Sequence, residues 1–117
     1  MSERSVTFTS DRIAAYAEAS GDRNPIHLDE DFARSVGLPG VIAHGLLQMG
    51  ILAVVAGEAA GGAGRLRRLS CRFAGMVVPG DTVTFTAGPP LEGRIELKAM
   101  NQRGEAVLTK AMAECDR

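Results

Sequence analysis

The run "GLLQMGILAVVAGEAA", residues 45–60, is apolar on every face of the helix that its composition predicts. A helix without a polar side has to be surrounded, so the rest of the chain must supply its cover. A membrane span is the competing use of such a run. Gln48, Glu58 and the glycines leave it too short and too interrupted for that. The "AGGAG" at 60–64 breaks the helix. Beyond it the chain reads as four strands, at 65–78, 81–88, 94–102 and 105–115. Their separators are Pro79-Gly80-Asp81, Gly88-Pro89-Pro90 and Asn101 to Gly104. Within the second strand Val83 and Phe85 alternate with threonines, the pattern of a half-buried strand.

Ahead of the long helix, "SVTFT" at 5–9 reads as a short strand. Thr9 to Asp11 offer capping groups for a helix holding Ile13, Tyr16 and Ala17, which Gly21 ends. "HLDEDFARSVG" predicts a second short helix with Leu28, Phe32 and Val36 on one apolar face. The expected fold class is therefore α+β: an antiparallel sheet wrapped around one long central helix, as a single domain over 1–117. An open sheet of about five strands leaves edges that need cover, which makes a homodimer the expected assembly.

A formal net charge of −1 and five Phe and Tyr residues in all give no basic, base-stacking surface, so nucleic acid is not an expected partner. Cys71 and Cys115 lie in separate strand-like runs, outside any metal spacing, and read as small sheet residues. The start, "MSERSVTFTS", lacks the apolar core of a signal peptide, so a cytoplasmic location and no membrane partner are expected. The arginines at 65, 67, 68 and 72 read as a solvated strand edge, with binding of coenzyme A phosphates or of an acidic carrier protein as the functional option.

Chemistry concentrates in "SGDRNPIHLDEDFARSVGLPGVIAHGL", residues 20–46, which holds both histidines. Asp22 and His27 flank Pro25, which rules out a helix interior between them, and Gly21 and Asn24-Pro25 are turn formers. A loop can bring the two side chains to one point as an acid–base pair around a water. Asn24 reads equally as a turn former and as a direct participant. His44 reads as a helix-entry residue bonded to backbone. Together with Asp22 and His27 it also makes a two-His-one-carboxylate donor set, though the spacing does not single out a metal site. Gly45 opens the buried helix, whose first N–H groups have no intrahelical partner and suit a developing oxyanion. Leu46, Leu47 and Ile51 are the candidates for an apolar acyl-binding wall. No G-x-S-x-G elbow is present for acyl transfer. The set fits proton transfer beside a thioester carbonyl.

"YAEASGDRNPIHLDEDFA" resembles the signature of the MaoC-like, or hydratase 2, family through Tyr16, Ser20, Gly21, Asp22, Asn24, Pro25, Ile26, His27 and Ala33. "LPGVIAHGLLQMG" and "FAGMVVPGDTVTF" resemble later blocks of the same family in the same order. The resemblance implies a hot-dog fold, usually dimeric. It also implies (R)-specific hydration of trans-2-enoyl thioesters of coenzyme A or acyl-carrier protein, or the reverse dehydration, with no cofactor beyond the thioester substrate. By position it makes Asp22 and His27 the catalytic pair, places Asn24 in their loop, and gives the oxyanion contact to the Gly45 N–H. Some relatives carry a Ser in the central helix where Ala53 stands here. A hot-dog thioesterase and one subunit of a heterodimeric dehydratase remain open at this point.

Overall fold

The structure is a computed structural model that describes residues 2–117. Strand β1 (Ser2–Thr7) leads into helix α1 (Ser10–Ser20), a 3-10 turn at Pro25–His27, and the short helix α2 (Glu30–Ser35). The central helix α3 (Gly45–Ala60) follows, then β2 (Leu66–Phe73), β3 (Thr82–Ala87), β4 (Arg94–Asn101) and β5 (Ala106–Cys115). The five strands form one antiparallel sheet in the order β1-β3-β4-β5-β2. It is the hot-dog arrangement.

The alternation in β3 does what its spacing predicts. Val83, Phe85 and Ala87 are buried against α3, and the threonines face the other way. There Thr82 and Thr84 share hydrogen bonds of 2.8 Å with Thr7 and Ser5 of β1, which sets the register of that pair. Ile95, Leu97 and Ala99 repeat the pattern in β4. From the helix side Leu52, Val55 and Ala56 are fully buried against them. In β5 an extra residue opposite β2 puts Lys110 at φ +48, a bulge that bends the strand around α3.

Three expectations need correction. The first strand runs over 2–7 rather than 5–9, because Phe8 leaves β1 to bond with the Pro79–Asp81 turn (Phe8 N to Asp81 O, 2.8 Å; Gly80 N to Phe8 O, 2.7 Å). The second short helix is only six residues long, and its apolar face is not covered: Leu28, Phe32 and Val36 are all exposed, while Ala33 is the buried contact. Nor is α3 buried on every side. Leu46 is 66% exposed and Val54 46% exposed, because one sheet covers one side of the helix. Among the described residues no helix is long and apolar enough to cross a membrane.

A further correction concerns the second strand, β2, which ends at Phe73 and does not run on to 78. Chain 74–78 leaves the sheet after Phe73 and passes along the start of α3, where Val77 O accepts from Ala43 N at 2.7 Å. That contact ties the loop before α3 to the segment after β2. At the far end of the Pro-Gly-Asp turn, the buried Asp81 carboxylate accepts from Val78 N (3.1 Å), Gln102 Nε2 (2.8 Å) and an Arg103 guanidinium N–H (3.1 Å).

Candidate active site

Gly21 ends α1 in the left-handed region, φ +77, and turns the chain out of the helix. Side chains then fold the loop step by step. Ser20 Oγ accepts from Asp22 N (3.1 Å), Asp22 Oδ1 from Asn24 N (3.4 Å), and Asn24 Oδ1 from Ile26 N (3.1 Å). These local bonds are what Asp and Asn do in turns. The result is the 3-10 turn whose last residue, His27, points inward and is 9% exposed. Asn24 is therefore a cap of the turn that presents His27, with its amide oxygen committed to backbone. Asp22 stays exposed.

His27 Nδ1 lies 2.7 Å from Ile42 O. A carbonyl oxygen only accepts, so Nδ1 carries the hydrogen and Nε2 is the nitrogen free to exchange a proton. His44, the N-cap residue of α3, is 1% exposed. Its Nε2 donates to Asp22 O at 3.0 Å, and its ring stacks on His27 with centroids 3.7 Å apart and planes 23° apart. Tyr16 of α1 meets the other side of the stack edge-on, centroids 4.7 Å apart. His44 is thus the backbone-bonded entry residue expected of it, and it also carries His27 on its face.

One ligand atom from each of Asp22, His27 and His44 falls within 4.8 Å of the others. A metal needs lone pairs that converge, and imidazole lone pairs lie in the ring plane. Two rings stacked 3.7 Å apart and inclined by only 23° do not aim at a common point. The trio is better suited to moving protons.

A cleft of about 290 Å³ opens beside His27, lined among others by Gly45, Gln48, Phe73 and the chain from Ala74 to Val77; Asp22 and His44 are not among its lining residues. The start of α3 forms one wall, so its unpaired N–H groups and positive dipole end face the space beside His27. Phe73 is 56% exposed, yet its ring lies on Gly45: a Cβ placed there would be 3.0 Å from Cε1 and Cζ. Larger cavities occur elsewhere, including one of about 690 Å³ around Pro90 and Leu91, but they contain neither histidine.

Leu46, Leu47 and Ile51, the expected acyl wall, do not line this cleft. Leu46 turns to solvent, whereas Leu47 and Ile51 pack against the core. Helix geometry is the reason: neighbours in sequence lie about 100° apart around the axis, so residues beside Gly45 face away from it. Gln48 and Phe73 are the cleft residues that the sequence reading passed over. Gln48 could have been found as the one polar residue in an otherwise apolar turn of α3; Phe73 had no signal, because its position depends on where β2 ends.

The fold defines a hot-dog protein. The profile of the family described as "MaoC like domain" matches residues 1–109, and the chain belongs to that family. The peroxisomal hydratase-dehydrogenase-epimerase of Neurospora crassa is 39% identical over 106 residues, covering 91% of this chain and 12% of that protein. The fatty acid synthase beta subunit TOXC of Cochliobolus carbonum is 46% identical over 67 residues, 56% of this chain and 3% of that one. The chain thus spans a small part of these curated relatives. Among solved structures, the (R)-hydratase from A. caviae involved in PHA biosynthesis superposes with a TM-score of 0.80 at 28% identity, over 95% of this chain and 89% of that one. The R-hydratase PhaJ1 from Pseudomonas aeruginosa gives 0.78 at 28% identity, over 96% and 76%.

Proposed function

We propose that this domain is a hydro-lyase that adds water to trans-2-enoyl thioesters of coenzyme A or acyl-carrier protein, and catalyses the reverse dehydration of (R)-3-hydroxyacyl thioesters. Two observations support the reading: a ligand atom of Asp22 lies within 4.8 Å of one of His27, and His27 shares a cleft with Gly45 and Gln48 of the first turn of α3. Similarity to two (R)-hydratases of comparable length supports it and suggests the stereochemistry.

In this mechanism the thioester carbonyl approaches the N–H of Gly45. As the enolate forms, that N–H and the helix dipole stabilise the developing oxyanion. One member of the Asp22/His27 pair takes a proton from water while the other delivers one to Cα; for His27 the exchanging nitrogen is Nε2. The proton count of the pair is the same before and after the reaction. Adding a Cβ at Gly45 would push the Phe73 ring by a few tenths of an ångström and crowd the carbonyl site. Gly45→Ala is expected to lower kcat/KM for crotonyl-CoA by about tenfold, since small misplacements at a reacting centre are costly. Steady-state kinetics will show it; an unchanged kcat/KM would remove Gly45 from the oxyanion contact.

The domain acts as a homodimer in this reading. Strand β2 ends the sheet with one edge unpaired, and Leu46, Val54 and Phe73 leave apolar surface uncovered beside it. Light scattering at micromolar concentration is expected to give about twice the chain mass of 12.3 kDa. A mass of one chain, with hydratase activity intact, would show that the dimer is not needed.

A further inference from the structure

Gln48 is the one polar side chain buried in α3. It is 4% exposed and lines the cleft together with His27 and Gly45. Its Oε1 has no hydrogen-bond partner among the described residues, and neither has Nδ1 of the buried His44. Both atoms are acceptors. His44 donates through Nε2 to Asp22 O, which leaves a lone pair on Nδ1, and Oε1 is a carbonyl oxygen. Residues four apart share one face of a helix, and a helical side chain leans back towards the N-terminus. Two acceptors on that face cannot satisfy each other. A half-turn of the amide removes the conflict: Nε2 can then donate to His44 Nδ1, and Oε1 is presented to the cleft.

We propose that Gln48 is a third catalytic residue, whose Oε1 accepts a hydrogen bond from the water that adds to Cβ, and from the 3-hydroxyl that this water becomes. The inference rests on the hydratase reading above. In the step itself the water oxygen bonds to Cβ, one water hydrogen goes to the Asp22/His27 pair, and the pair returns a proton to Cα. The second water hydrogen stays on oxygen throughout. Gln48 holds that hydrogen and so orients the oxygen lone pair towards Cβ. A saturated acyl thioester carries no hydroxyl and gains nothing from the contact.

Gln48→Met keeps the length of the side chain without its acceptor, and Gln48→Leu provides a second apolar shape. For wild type and both variants, three quantities are measured: kcat/KM for dehydration of (R)-3-hydroxybutyryl-CoA, the inhibition constant of butyryl-CoA, and the thermal midpoint. A lost hydrogen bond in a buried site corresponds to about a tenfold effect. The expected result is a kcat/KM about tenfold lower, a butyryl-CoA inhibition constant within twofold of wild type, and a slightly lower thermal midpoint, because His44 Nδ1 loses its donor. If both ligands weaken in parallel, or an unfolded fraction at the assay temperature accounts for the lost rate, Gln48 is a packing residue and the proposal is overturned. Unchanged kcat/KM in the variants overturns it equally, with the hydratase reading left standing. No turnover by the wild type itself would overturn both.

Discussion

Asp22→Asn and His27→Ala should each lower the hydration of crotonyl-CoA by about 100- to 10,000-fold, the range in which a positioned acid or base contributes. The two variants should differ in stability. Asp22 is exposed and its backbone carbonyl, not its carboxylate, binds His44, so Asp22→Asn is expected to leave the thermal midpoint unchanged. His27→Ala removes the bond to Ile42 O and the stack on His44, and about 1–3 kcal/mol of stability should go with them. That loss leaves the domain folded, so the drop in rate reports chemistry. The double variant should be little slower than the worse single one, because removing either member disables the pair. Near-full activity in both single variants would exclude the mechanism.

The second large effect lies at Asp81, away from the cleft. Its carboxylate is 3% exposed and takes three hydrogen bonds, one of them from Val78 N, so it holds the turn that brings 74–78 back along α3. Asp81→Ala removes all three bonds, including the one to Val78 N that holds the turn, and about 1–3 kcal/mol of stability should be lost, read by urea denaturation. Burial pushes the Asp81 carboxyl up, but the bonds from Gln102, Arg103 and Val78 outweigh it and hold the group below its usual value of 3.8. A lowered value in the folded state means stability that is complete above the unfolded value and lost as pH falls through the folded one. Wild type should therefore lose stability below about pH 4 more steeply than Asp81→Asn. Equal acid sensitivity in the two proteins would assign the acid transition to other carboxylates.

Why some of this could be read from residues alone and some could not is a matter of range. The capping of α1, the alternation in β3 and the turn chemistry of residues 20–27 are local, and local bonds made them legible. The uncovered face of α2 and the exposed Leu46 and Val54 depend on how far the sheet reaches around the helices, which periodicity does not record. The cleft wall shows the same division. Gly45 could be named from the helix start, yet Leu46, Leu47 and Ile51 were assigned to the wall by their apolar character rather than by their angle around α3. Phe73 enters the site through the end of β2, a boundary set by the sheet.

The central claim is that the domain hydrates an enoyl thioester, and one experiment meets it directly. Purified chain is mixed with crotonyl-CoA while the enoyl-thioester absorbance and free thiol are followed together, and the product is resolved by chirality. Loss of the absorbance, (R)-3-hydroxybutyryl-CoA as product, and no thiol release are expected. Release of free coenzyme A in step with substrate loss would contradict the claim and make the domain a thioesterase on the same fold.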